Sequence, residues 1–204
     1  MNLRDTSLGK VYYWFIKSFC NFFLKEKDIS PMIFTLLGLF FAVLVPIFFL
    51  ISPLVAALFI FLSGISDSID GHIARDTNRQ TKFGAFLDST VDRISDFFYL
   101  FGFLCLFWKN NFSNFFLFNF LILISVVFTI LISYTKARIE GLGGQCDKGL
   151  MSRAVRVIYL IIWAIFLSIF SSHMELILWI GGIIYFLLVI FSVIQRSKHA
   201  YKEL

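Results

Sequence analysis

The chain has 204 residues, a length that suits one domain. Hydrophobic residues make up 59% of it and 28 residues are phenylalanine, which excludes an ordinary soluble globule; the apolar residues come in continuous runs, not short alternating segments, which excludes an outer-membrane barrel. Three cysteines in unrelated contexts, Cys20, Cys105 and Cys146, make no disulfide framework, and the formal charge of +5 informs through its placement along a membrane chain and does not point to nucleic acid.

Residues 1–30 do not read as a cleavable signal, because Lys17 breaks the apolar run and no small-residue cleavage site follows. Val11, Phe15, Phe19 and Phe22 recur at helical spacing with Lys10, Lys17, Asn21 and Lys25 between them, which predicts an amphipathic helix lying in the membrane interface. A loose basic tail is the other reading. Ile29-Ser30-Pro31 marks a helix start, and Ile33 to Ile51 is apolar and long enough to span, with Pro46 as a candidate kink. Ser52-Pro53 makes a turn, and a second span runs from Leu54 into an acidic stretch.

From Leu54 to Asp67 a helix rises about 20 Å, less than a hydrocarbon core of about 30 Å, so the acids are expected at one membrane boundary. Residues 76–83 form a polar loop. The third span is predicted from about Gly84 to Phe107, followed by a short loop with Lys109, Asn110, Asn111, Ser113 and Asn114. The fourth covers Phe115 to Ser133 and continues as a polar helix end, within a long polar connection, 134–152. Val155 to Phe170 and Leu176 to Ile194 make the fifth and sixth spans, before a basic tail. The fold class is therefore all-α: one membrane domain over residues 1–204, with a juxtamembrane segment (1–30), a six-helix bundle (31–196) and a tail (197–204). Lysines and arginines gather on one side of this topology, and the opposite side has only Lys109. Both termini and the acidic stretch are thus expected to face the cytoplasm.

The informative stretch is Asp67 to Asp92. Acids at bilayer depth are costly, roughly 2.5–3.5 kcal/mol each at a helix centre on insertion scales. Four of them near a boundary call for a compensating charge. Asp67 and Asp70 are i, i+3 on one helix, and Asp88 and Asp92 are i, i+4 on the next. If the two helices run antiparallel, both acidic faces meet, and four oxygen-bearing groups suit one or two hard cations, Mg²⁺ or Mn²⁺. Taken pairwise, the same acids would also serve as helix caps. Gly71 and Ala74 leave room for a ligand beside the helix, or for a packed neighbouring helix. Arg75 is suited to gripping a phosphate bidentately, or to snorkelling.

The eight residues Asp67, Asp70, Gly71, Ala74, Arg75, Gly84, Asp88 and Asp92 match Asp-x2-Asp-Gly-x2-Ala-Arg-x8-Gly-x3-Asp-x3-Asp, which resembles the signature of the CDP-alcohol phosphotransferase family. The resemblance implies transfer of a phosphoalcohol group from a CDP-alcohol to a hydroxyl acceptor, with release of CMP. It implies two metal ions, with Asp67, Asp70 and Asp88 as ligands, and Asp92 as both ligand and base. Gly71, Ala74, Arg75, Thr81 and Gly84 would line the CDP-lipid site. So would the stretch from Met32 to Thr35, which resembles the family's Pro-Asn-x-x-Thr entry but has methionine in place of asparagine. A homodimer is also a family expectation.

Ser133-Tyr134-Thr135-Lys136-Ala137-Arg138 and Gly149-Leu150-Met151-Ser152-Arg153-Ala154-Val155-Arg156 resemble segments of the inositol-phosphate branch of that family, where such cations hold the acceptor's phosphate. Two arginines at a helix start oppose the helix dipole. An anionic ligand would account for them, and so would anchoring to anionic lipid. The resemblance makes Lys136, Arg138, Arg153 and Arg156 the acceptor-phosphate residues. It ranks inositol 1-phosphate ahead of glycerol 3-phosphate, with CDP-diacylglycerol or CDP-archaeol as donor. Asp96 is expected to orient Arg93 or the metal ligands, or to form a plain pair with Arg93. His72, His173 and His199 stand isolated and carry no assignment. Acids in a membrane also mark ion paths, which makes a cation transporter or channel the competing class. The apolar outer halves of the spans argue against it.

Overall fold

A computed structural model describes Ser18 and residues 30–77, 79–146 and 148–204. The amphipathic segment expected before residue 30 lies outside the described residues. Among these the secondary structure is entirely helical: α1 (Pro31–Phe49), α2 (Pro53–Asp76), α3 (Lys82–Lys109), α4 (Phe115–Gly141), α5 (Arg153–Ile169), a 3₁₀ turn (Ser171–His173) and α6 (Met174–Glu203).

The punctuation follows the sequence. Proline opens α1 and α2, where its missing N–H costs nothing, and Ser30 and Ser52 precede them in extended conformation. α1 continues through Pro46 to Phe49. Asn111 and Asn114 adopt positive φ in the turn between α3 and α4, a conformation asparagine tolerates. The polar helix end expected after Ser133 runs to Gly141, which leaves residues 142–152 as the connection. Two other boundaries differ from expectation. α6 runs on to Glu203, so the expected tail is mostly helix. α3 begins at Lys82 because Thr81 caps it, its hydroxyl oxygen accepting the Gly84 N–H at 2.9 Å.

Four of these helices, α1, α2, α4 and the stretch containing α6, are long and apolar enough to cross a membrane by length and composition. Large apolar side chains cover the outside, among them Phe40, Ile47, Leu58, Phe116, Phe120 and Leu187, all more than half exposed. Such a surface suits lipid and would aggregate in water.

Packing divides the molecule along its length. α1 lies along both α2 and α3, whereas α2 and α3 meet each other over only a short stretch. α5 packs on α2, and α6 on α4. Beyond the acids the interior is aromatic. Phe103 stacks on Trp163 with centroids 3.9 Å apart and packs on Phe49 at 4.5 Å; Phe107 stacks on Phe118 at 4.2 Å. The Trp163 indole N–H donates to the Ile177 carbonyl at 3.0 Å, so the ring is buried with its polar edge satisfied.

Gly102 lets Phe49 come this close, since a Cβ there would lie 2.4 Å from the Phe49 ring. Gly102→Val is expected to lower stability by about 1–3 kcal/mol through overpacking. Gly141→Val, where an added Cβ meets no atom from elsewhere among the described residues within 4 Å, is the control. Thermal unfolding in detergent checks the pair, and equal midpoints would contradict the packing argument.

Candidate active site

The acids converge at the end of the bundle opposite this aromatic block. Asp67, Asp70 and Asp88 each offer a carboxylate oxygen, and the three atoms lie within 4.8 Å of one another. Three hard oxygen donors at that separation fit a divalent cation such as Mg²⁺ or Mn²⁺. Asp70 is the buried member, and the Thr35 hydroxyl donates to its Oδ2 at 2.6 Å. That bond ties α1 to the acidic face of α2. It depends on close helix approach at Gly38, whose carbonyl accepts from the Ser63 hydroxyl at 2.6 Å. The Tyr99 hydroxyl donates in turn to Ser63 Oγ at 2.6 Å. A buried relay from α3 through α2 to α1 thus closes the interior beside the acids.

Asp92 meets the group through a cation. One nitrogen of Arg153, Nη1, contacts both Asp67 Oδ1 and Asp92 Oδ1, the latter at 2.9 Å. The Arg153 side chain remains 20% exposed. One arginine therefore spans acids from both helices of the motif.

The other expected residues fall in distinct places. Arg75 is exposed and folds back along α2, its guanidinium lying over Gly71. Ala74 is half-buried on the next turn, and Met32 is exposed at the start of α1. Thr35 turns inward to Asp70. Thr81 and Gly84 form the α3 cap, a structural use that a ligand-centred reading overlooked. Lys136 pairs with Glu140 at 3.6 Å on the surface of α4, and Arg138 is exposed on that helix's last turn.

Arg156 corrects the expectation. It is buried; its Nη2 donates to Asp96 Oδ2 at 2.6 Å and its Nη1 to the Met151 carbonyl at 3.0 Å. Both of its terminal nitrogens are thus bonded inside the protein. Asp96 accordingly pairs with Arg156 rather than Arg93, which bonds to the Ser89 carbonyl of its own helix.

Arg196 belongs to no motif in the sequence. It is largely buried and anchors the segment before α5, its Nε donating to the Lys148 carbonyl at 2.9 Å and its Nη1 to the Ile132 carbonyl. Gly149 makes room for it: φ is +118° there, and a Cβ would lie 2.7 Å from Arg196 Nε. No local spacing could have signalled contacts 48 and 64 residues apart.

A family model for CDP-alcohol phosphatidyltransferase matches residues 28–194, which include every acid of this cluster. The chain belongs to that family. It is a membrane-integral transferase of phospholipid synthesis. Among relatives of this CDP-alcohol phosphatidyltransferase, an archaetidylinositol phosphate synthase of Pyrococcus horikoshii is 30% identical over 148 residues, 70% of this chain and 73% of its own. Solved structures of the phosphatidylinositol phosphate synthase of Mycobacterium tuberculosis share the fold. One, with CDP-DAG bound, gives a TM-score of 0.75 at 26% identity over 95% of both chains. Another, in complex with manganese and citrate, gives 0.74 at 28% identity over 88% of this chain and 86% of that one.

The Thr35–Asp70 bond orients a carboxylate from outside the acid cluster. Thr35→Val is expected to weaken Mn²⁺ binding by about 10-fold, the low end for loss of a partner that orients a ligand. Thr35→Ser is expected to retain it. Calorimetric titration with Mn²⁺ measures both, and wild-type affinity in the valine variant would remove Thr35 from the site's support.

Proposed function

We propose that this transferase moves a phosphatidyl or archaetidyl group from a CDP-linked lipid to the hydroxyl of a phosphorylated alcohol, inositol 1-phosphate first among the candidates, releasing CMP. The observation that carries the acceptor reading is Arg153: a cation at a helix start, held against Asp67 and Asp92 and still partly open. An acceptor with its own phosphate would find there a partner charge beside the reacting hydroxyl. The inositol-phosphate names carried by the relatives point the same way.

In this reading Asp67, Asp70, Asp88 and Asp92 hold two divalent ions, which would neutralise the pyrophosphate and stabilise charge on the attacking and leaving oxygens. Thr35 fixes the Asp70 carboxylate. Arg75, with Gly71, Ala74 and the backbone around Met32, Thr81 and Gly84, lines the path for the CDP-lipid. Asp92 has Oδ1 engaged by Arg153 and takes the acceptor's hydroxyl proton at Oδ2. Attack of that oxygen on the lipid-bearing phosphorus breaks the bond to the CMP phosphate oxygen. Positioning and charge neutralisation carry most of the catalysis, as in phosphoryl transfer generally. Lys136 and Arg138 attract the anionic acceptor from the surface of α4.

All six helices cross the membrane in this reading, with an interfacial helix before them and both termini and the site cytoplasmic. α3 has 28 residues, about 42 Å of helix, and is less apolar than its neighbours because it carries the motif's charges. α5 has 17 residues, about 25 Å, and shows lipid-suited Ile158, Ile162 and Phe166 on its outside. A homodimer belongs to the same reading. Mass measurement in nanodiscs checks it, and a single-chain mass would remove it.

The deciding assay is CMP release by the purified protein with CDP-diacylglycerol or CDP-archaeol, Mn²⁺ or Mg²⁺, and a panel of inositol 1-phosphate, glycerol 3-phosphate, free inositol and serine. CMP is expected with a phosphorylated acceptor, greatest with inositol 1-phosphate, and lost on chelation or in Asp92→Asn. Release with serine or free inositol alone would overturn the acceptor assignment.

A further inference from the structure

We propose that Asp96 and Arg156 are positioning residues: a buried ion pair whose task is to set Arg153 against Asp67 and Asp92. The inference deepens the acceptor reading and rests on it only for its kinetic arm.

The argument begins with α5. Arg153 is its first residue, and Ser152 before it makes no side-chain capping bond. The first turn of a helix has unsatisfied N–H groups and a positive end, so an uncapped start bearing two arginines tends to fray. Something outside the helix has to hold it. Asp92 and Asp96 lie one turn apart on α3, and Arg153 and Arg156 lie one turn apart on α5. The two helices are therefore joined by two ion pairs in register, Arg153–Asp92 at 2.9 Å and Arg156–Asp96 at 2.6 Å.

The pairs differ in surroundings. Arg153 and Asp92 keep side-chain exposures of 20% and 17%, whereas Arg156 and Asp96 are at 2% and 4%. Screening by water leaves the inner pair the stronger constraint. Arg156 also reaches back to the Met151 carbonyl, and the Met151 N–H donates to Ser192 Oγ on α6 at 2.9 Å. The Leu150 N–H donates to Gln195 Oε1 at 3.0 Å. One guanidinium thus ties α3, the start of α5 and the α6-anchored segment together, three residues from Arg153. If Arg156 were a second phosphate ligand, it would have to abandon both partners and leave Asp96 buried and unpaired, which is strongly unfavourable.

The test compares Asp96→Leu/Arg156→Met with Arg153→Ala, and with all three changes together, in the full-length protein in nanodiscs. Replacing both members of a buried pair by apolar groups is often neutral for stability. The milder Arg156→Lys, which keeps the charge but loses the two-point link, covers a double variant that fails to fold. Two properties are read: Mn²⁺ affinity by calorimetry, and KM for the acceptor against KM for the CDP-lipid.

Arg153→Ala is expected to tighten Mn²⁺ binding by about 3- to 10-fold, because a competing cation leaves Asp67 and Asp92. The paired variant is expected to reproduce that change in direction, with acceptor KM up about 10-fold and donor KM nearly unchanged. The triple variant should be no worse than Arg153→Ala alone, since residues acting through one group are not additive. The proposal is overturned if the paired variant and Arg156→Lys bind Mn²⁺ like wild type, if Arg153→Ala itself leaves Mn²⁺ binding unchanged, or if the effects add. An unchanged acceptor KM in Arg153→Ala, together with tightened Mn²⁺ binding, would instead sink the acceptor reading and leave the positioning role standing.

Discussion

Charge neutralisation at one end of an apolar bundle governs this structure. Two like charges held about 5 Å apart repel by roughly 3 kcal/mol at an effective dielectric near 20. Asp67, Asp70 and Asp88 are held at such distances, with Asp92 close by through Arg153. Hydrogen bonding alone does not remove that repulsion. It has to be answered by cations, and the fold delivers one from α5. The helix arrangement can be understood from this demand. α1 packs along both α2 and α3, contributes the Thr35 hydroxyl, and leaves α2 and α3 to meet over only a short stretch. The segment before α5 is pinned to α6 so that Arg153 begins a helix at the acids and not elsewhere.

The opposite end meets the complementary requirement. Phe49, Phe103, Phe107, Phe118, Trp163 and Trp179 interlock there, and the Gly102 and Gly181 backbones allow the rings to come close. From Asp92 to Phe107, α3 rises about 22 Å, so the rigid aromatic block lies well away from the acids. This polarity suits a transferase better than a conduit. A path for ions needs polar groups through the whole thickness, and here an aromatic stack fills the core beyond the acidic end. The same block gives the site a stiff base, and side chains held on packed helices keep their spacing better than side chains on loops.

How much of this was legible in the sequence depended on whether a contact was local. The acid spacings were readable because each pair lies on one helix, where i, i+3 and i, i+4 fix a shared face. The helix start at Pro31 was readable for the same reason, and the next start, expected at Leu54 after a turn at Ser52-Pro53, lies one residue earlier, at Pro53. Composition misled at the C-terminal end: the polar residues after Ile194 resembled a tail, yet the helix continues to Glu203, whereas the polar helix end expected after Ser133 does run on, to Gly141. A threonine near a phosphate site suggests a ligand contact, whereas the Thr81 hydroxyl oxygen accepts the Gly84 N–H three residues on. The family resemblance puts Thr35 in the CDP-lipid site, and the packing of α1 on α2 turns its hydroxyl to Asp70. The Arg156–Asp96 pair joins residues 60 apart, and no pattern in one sequence encodes such a meeting.

Arg153 and Arg156 show why pattern alone cannot assign a role. Both are arginines, three residues apart, on one face of one helix, and a motif treats them alike. Burial separates them. A buried arginine with both terminal nitrogens bonded inside the protein has its guanidinium committed there, whereas one touching carboxylates through a single nitrogen, and partly open, can turn its other terminal nitrogen to a ligand. A helix start that tolerates two cations against its own dipole gains little in local stability from doing so. The sense of that arrangement lies in its neighbours: the inner arginine converts a weak helix end into a fixed one, and the outer arginine is thereby held as the charge that faces the acids.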